Sequence, residues 1–130
     1  MRAQVSTVFI GGLLLVGAQL AIAQSAPATT GSALRGKEIY GARCSACHSV
    51  DAHRVGPMHW GVLGRKAGSA TGYDYSEALS KSRIIWTRET LMAWLTSPEA
   101  LIPGQRMGYQ MDSANDREDV VAYLATLKRP

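Results

Sequence analysis

Two cysteines occur in the sequence, Cys44 and Cys47, and His48 directly follows the second. On one helical turn Cys44 shares a face with Cys47 and with His48, so two sulfurs and an imidazole converge on one object. Each sulfur can form a thioether with a vinyl group of a haem, and the adjacent imidazole then reaches the iron from one side. Three other chemistries compete for the same residues. A plain disulfide leaves His48 without a role. A thioredoxin-type redox pair needs alternating strands and helices, which the pattern lacks. A zinc site could enlist His53 and His59, but the gap from Cys47 to His53 is shorter than finger domains use.

A haem iron held by His48 has a second axial position, and its occupant decides the chemistry. Histidine or methionine there closes the site and makes an electron carrier, whereas an open position admits small gases or peroxide. Met107 is the favoured ligand, because Pro103 and Gly104 force an extended loop over 102–107 that can present a thioether. Met92 lies in an apolar helical stretch, where a core role is usual. Met58 and Met111 also sit in loops, and His53 and His59 are the non-methionine rivals.

These residues must be positioned by short elements. Leu34, Ile39 and Tyr40 fall at roughly helical spacing, and the pattern runs through Arg43 toward Cys47. Residues 50–69 read as loop, broken by Gly56, Gly61, Gly64 and Gly68, with a turn at Pro57. A short helix is expected over 75–80. Thr87 is the expected N-cap of another through Thr96, closed by Pro98. Asn115 with Glu118 resembles the start of a last helix whose apolar face is Val120, Val121, Tyr123, Leu124 and Leu127. No alternating run argues for a sheet. Three or four short helices with long loops make sense where the loops wrap something that is not protein, and a large apolar cofactor would complete a thin core.

The 130 residues suffice for one domain. Hydrophobic residues make up 46% and charged residues 18%, with a net charge of +4 to which Arg2 contributes. A charge this small gives no support to nucleic-acid binding. Residues 1–23 read as a signal peptide: Arg2 gives a positive start, 8–16 is apolar, and Ala21-Ile22-Ala23 has small residues where a signal peptidase reads. The competing reading is an uncleaved membrane anchor, weakened by Gln4, Gln19 and three glycines. Residues 24–33 read as a flexible tether and 34–130 as the folded domain. Export places the domain in the bacterial periplasm, where a cysteine pair oxidises unless something else uses the sulfurs.

From Gly36 to Lys128 the chain resembles a class I cytochrome c of the mitochondrial and bacterial c2 type. The resemblance rests on Gly36-Lys37-Glu38-Ile39-Tyr40, the segment from Cys44 to His48, Gly56-Pro57, Gly64-Arg65-Lys66, Tyr75 and Ile84-Ile85-Trp86. It continues through Thr90-Leu91-Met92, Ile102-Pro103-Gly104 with Met107, and Arg117-Glu118-Asp119 with Ala122-Tyr123-Leu124. It implies an all-α fold of three to five short helices around one haem c, bound through two thioethers, with iron between His48 and Met107. It further implies that the Pro57 carbonyl accepts the other imidazole proton of His48. Arg65, Tyr75 and Trp86 would bond the buried propionates, and Gly36 and Tyr40 would pack against Val120 and Tyr123.

The implied role is that of a soluble, monomeric, non-enzymatic electron carrier. Its partners would be a quinol-oxidising complex or dehydrogenase on one side and an oxidase, peroxidase or photosynthetic centre on the other. No nucleic acid is expected, and a membrane only where the first segment stays uncleaved. The alternative is a haem sensor or peroxidase-like enzyme with a labile Met107. Four departures from the family pattern bear on this. Trp94 stands where a tyrosine hydroxyl would bond the methionine sulfur, Leu79 replaces an asparagine and Gln105 a threonine, so fewer polar groups are expected beside the iron. His59 takes a place usually held by leucine, and a buried histidine there would make the potential depend on pH. Around the expected haem edge Arg43 and Arg106 remain, but Glu99 and Asp112 occupy places often basic, which weakens electrostatic steering.

Overall fold

The computed structural model describes residues 31–128. The expected signal peptide, and the expected tether up to residue 30, lie outside the described residues. Five helices follow in order: α1 (Ala33–Arg43), α2 (Glu77–Lys81), α3 (Arg88–Thr96), α4 (Pro98–Leu101) and α5 (Ala114–Thr126). Among the described residues the extended pairing is one isolated antiparallel bridge, Lys66 with Ile85. No helix among them is long and apolar enough to cross a membrane. The expected all-α architecture is what the chain adopts.

The first and last helices form the frame. Ser32 caps α1, its hydroxyl accepting from the Arg35 N–H at 3.3 Å. Its own N–H donates to the buried Asp119 carboxylate at 2.6 Å. The other Asp119 oxygen lies 3.0 Å from the Arg35 guanidinium, so one carboxylate of α5 fixes the start of α1. The helices cross at Gly36, where a Cβ would stand 1.9 Å from the Asp119 carbonyl oxygen. Only glycine lets the backbones approach this closely. One turn on, Tyr40 meets Tyr123 edge to face at 5.3 Å between ring centroids.

The third helix closes the core against the fifth, with Leu91, Trp94 and Leu95 clustered with Val120, Val121 and Leu124. Thr87 starts it through a reciprocal capping box with Thr90. Two boundaries differ from the sequence expectation. Pro98 does not merely close α3; it opens α4 from the first helical position, where a missing N–H costs nothing, with Ser97 capping. The last helix is capped by Ser113, whose hydroxyl accepts from Asp116 N–H at 3.2 Å. Asn115 is already inside the first turn, because the serine two residues earlier reaches the orphan N–H groups first.

The loop over 50–69 is tied down along its second half. Gly61 N–H donates to Leu127 O at 2.6 Å, joining it to the end of α5. Bonds from Gly64 N–H to Trp86 O at 2.8 Å and from Trp86 N–H to Arg65 O at 2.9 Å join it to the segment before α3. We expect Gly36→Ala to destabilise the protein by about 1–3 kcal/mol through overpacking. Gly41→Ala, on the same helix with nothing within 4 Å of a Cβ, should instead stabilise it by about 0.5–1 kcal/mol. Denaturant unfolding of the two variants checks the pair.

Candidate haem site

A cavity of about 600 Å³ opens between α1, the 50–69 loop, α3 and the chain after α4. All eight residues expected at the site line it: Cys44, Cys47, His48, Pro57, Arg65, Tyr75, Trp86 and Met107. They come from five separate stretches of chain, so folding has assembled what the sequence only suggested.

The cysteine end grows out of α1. Cys44 is its C-cap, its N–H donating to Tyr40 O at 2.9 Å, and Cys47 N–H and His48 N–H both donate to Cys44 O, at 3.1 and 2.8 Å. This continued turn brings the two thiols and the imidazole to one wall. Burial pushes the Cys44 thiol up to about 11, outweighing the lowering effect of Arg43. A redox-active thiol of the thioredoxin kind needs the opposite shift, so that reading loses its support. Nδ1 of His48 lies 2.9 Å from the Pro57 carbonyl. The carbonyl accepts the Nδ1 proton and leaves Nε2 as the lone-pair nitrogen. Burial lowers the His48 pKa against the raising effect of that bond, which favours the neutral, ligating form.

The methionine end is a shaped loop. Gln105 N–H donates to Ile102 O at 3.3 Å around Pro103 and Gly104, the latter at φ +86°, as a type II turn requires. Gln105 then accepts from Met107 N–H with its side-chain oxygen, and its amide nitrogen donates to Glu99 at 3.2 Å. Of the methionines weighed, Met107 lines the cavity. Met111 is 1% exposed in the core, Met92 packs against that core, and neither it nor Met58 lines the cavity. His53 is bonded between Met58 N–H and Thr71 O.

The expectation for Trp94 needs correction. Its indole N–H donates to the Met107 sulfur at 3.1 Å. The hydroxyl of the family pattern is absent, yet a donor stands in its place, so the sulfur is not left without a polar partner. Sequence reasoning counted hydroxyls and overlooked the indole N–H, a donor that only the chain's path could aim.

The residues expected at the propionates are less simple. Arg65 donates to the Trp60 and Met58 carbonyls, at 2.9 and 3.0 Å. Tyr75 accepts from Ala70 N–H at 3.4 Å, and its pKa is raised chiefly by burial. Much of the remaining wall is apolar, with Val62, Leu79, Leu91, Leu95 and Leu124, while Arg43, Asp74, Ser76 and Arg106 also line it. A volume of this size matches cofactor sites, which run about 300–1,000 Å³. Two thiols, a neutral imidazole and a thioether on apolar walls fit an iron porphyrin by donor type as well.

The cytochrome c family model matches residues 33–128. The chain belongs to the cytochrome c family. It is 39% identical over 104 residues to cytochrome c2 of Rhodopila globiformis, covering 78% of this chain and 98% of that protein. It is 41% identical over 93 residues to cytochrome c 2.1 of Caenorhabditis briggsae, covering 69% and 83%. Among solved structures it is similar to cytochrome cH from Methylobacterium extorquens, with TM-score 0.71 and 39% identity, over 74% of this chain and 99% of that one. Membership implies one covalently bound haem c with its iron, and Cys44 and Cys47 fit the attachment motif. The chain is therefore a monohaem cytochrome that carries single electrons.

His59 is half-buried, and its pKa is driven down from 6.5 to about 3, first by desolvation and then by the neighbouring His48 and Arg65. It stays neutral from pH 5 to 8, so the pH-dependent potential expected from it does not follow. The consequence appears in stability. The unfolded chain takes up this proton near pH 6.5 and the folded one only near 3. The contribution is whole above the first value and shrinks as pH falls towards the second, by about 1.4 kcal/mol per unit. His59→Leu should flatten the acid slope of the unfolding free energy by that amount. Denaturant unfolding of the haem-loaded protein at a series of pH values measures it.

Proposed function

We propose that this cytochrome works as an exported carrier in which His48 and Met107 are the two axial ligands and Arg65, Tyr75 and Trp86 hold the propionate end. The observation that carries the reading is the convergence of those side chains, with Cys44 and Cys47, on one cavity. A bound haem iron would supply a one-electron valence change, and His48 and Met107 are the residues that would hold it. The chain does the rest. Pro57 fixes the tautomer and ring direction of His48. Trp94 and Gln105 hold Met107 by its sulfur and its backbone N–H. A methionine gripped at two points supports a carrier rather than a peroxidase-like enzyme with a labile ligand. Apolar walls exclude water, so little has to reorganise when charge changes.

In this reading residues 1–23 direct export to the bacterial periplasm and are removed, 24–33 is a tether, and the carrier is a soluble monomer serving a respiratory chain. The donor is a quinol-oxidising complex or dehydrogenase, and the acceptor an oxidase, peroxidase or photosynthetic centre. The cavity mouth fits partners that are not strongly acidic. Arg43 is 3.8 Å from Asp116, and Arg106 is 3.4 Å from Asp74, so both arginines are paired on the surface. Paired, exposed charges project a weak field.

Met107→Ala should abolish the weak far-red band that sulfur gives on low-spin ferric iron; an unchanged ferric spectrum would exclude Met107 as ligand. Native mass spectrometry of the exported protein should find one covalent haem on a chain beginning at Gln24. Between low and physiological ionic strength, the bimolecular electron-transfer rate with its redox partner should fall by less than about tenfold, well short of the 10³-fold that strong steering gives. Stopped-flow measurement across a salt series decides this.

A further inference from the structure

His48 is not held by Pro57 alone. The ring of His59 stacks on the His48 ring with centroids 4.2 Å apart and planes 21° from parallel. Gly56 also packs against that imidazole, for a Cβ there would stand 2.2 Å from Cε1 and 2.5 Å from Nδ1. The Pro57 bond fixes one direction in the ring plane. A single hydrogen bond leaves rotation about its own axis free, and a stacked ring removes it.

His59 is itself immobilised. Its Nδ1 lies 2.9 Å from the Tyr40 hydroxyl, its N–H donates to Ser49 O at 3.1 Å, and its carbonyl accepts from Val62 N–H at 3.0 Å. Tyr40 meets His59 edge-on at 5.5 Å and Tyr123 at 5.3 Å. Four rings thus run in contact from α5 through α1 to the ligand: Tyr123, Tyr40, His59, His48. A polar ring in a buried place is tolerated only when its polar atom is satisfied. The Tyr40 hydroxyl and His59 Nδ1 satisfy each other, and the matched pair makes sense as a unit rather than as two separate residues.

We propose that His59, held by Tyr40, is a positioning residue that sets the plane of the His48 imidazole against the α1–α5 frame. The proposal rests on His48 being the axial ligand. Both residues also line the cavity; the pair would act on the iron through the ligand, whose ring plane would govern overlap with the iron orbitals.

Nuclear magnetic resonance of the ferric holoprotein tests it, because the order and spread of the haem methyl shifts report the orientation of the axial ligands. His59→Leu should change that order, and His59→Phe, which keeps a stacked ring, should largely restore it. Tyr123→Phe keeps its edge contact with Tyr40 and should leave it as it is. An unaltered order in His59→Leu overturns the proposal, as does an equal change in His59→Leu and His59→Phe. Unfolding of the same proteins supplies the second arm. Tyr40→Phe and His59→Leu each orphan a partly buried polar group, so the double variant should be more stable than the sum of the two losses by roughly fivefold or more in the folding equilibrium constant. Strict additivity would overturn the Tyr40 part. Loss of the low-spin spectrum in His48→Ala, which puts no ligating side chain in its place, separates this question from the assignment of His48: an unchanged spectrum there removes the ligand itself.

Discussion

A domain of this size cannot keep an apolar space of about 600 Å³ at its centre by protein contacts alone. Apolar walls of that extent are taken out of water only when a large apolar group fills the space, and each square ångström so covered contributes about 25 cal/mol. The fold is therefore specified jointly by the chain and the porphyrin that the family carries. That explains why so much of the backbone is loop. Residues 50–69 and 102–113 need not bury a helical face, since each lays one edge on the cavity and ties the other to the frame.

The frame is correspondingly economical. Asp119 holds the start of α1, Gly36 permits close approach, and the turn that leaves α1 delivers Cys44, Cys47 and His48 to the cavity wall. Because the attachment motif begins at the C-cap of α1, any tilt of that helix would move the two thiols and the imidazole together. Stability of the helix pair and placement of the chemistry are one problem here, solved largely by a single carboxylate and a single absent side chain.

Local chemistry was legible in the sequence, and so were four of the five helices; α4 was not, because Pro98 read as a stop rather than as a first helical residue. The cysteine spacing, the Pro-Gly turn ahead of Met107 and the Thr87 cap each depend on residues within a few positions, and each was readable as it stands. Choosing among the methionines was not settled that way: Met111 and Met107 both sit in loops, and what separates them is that the Met111 N–H is drawn to Leu95 O while Met107 faces the cavity. The Trp94 bond and the Tyr40–His59 pair span 13 and 19 residues, and neither residue type announces its partner. Ser113 displaced Asn115 as cap because several hydroxyl and amide side chains compete there, and backbone direction decides.

The two sides of the cavity hold the two proposed ligands differently. Beside His48 the support is a stack of rings anchored by a hydroxyl; beside Met107 it is an indole N–H and an amide. An indole N–H donates and cannot accept, whereas a hydroxyl does both and can pass a bond on to water. Trp94 therefore ends the hydrogen-bond chain at the sulfur instead of extending it. With Leu79 on the wall as well, the methionine side gains a fixed dipole without a foothold for ordered water. A fixed dipole on apolar walls does not have to reorient when the charge of the centre changes, and small reorientation is the physical requirement for moving an electron quickly in either direction.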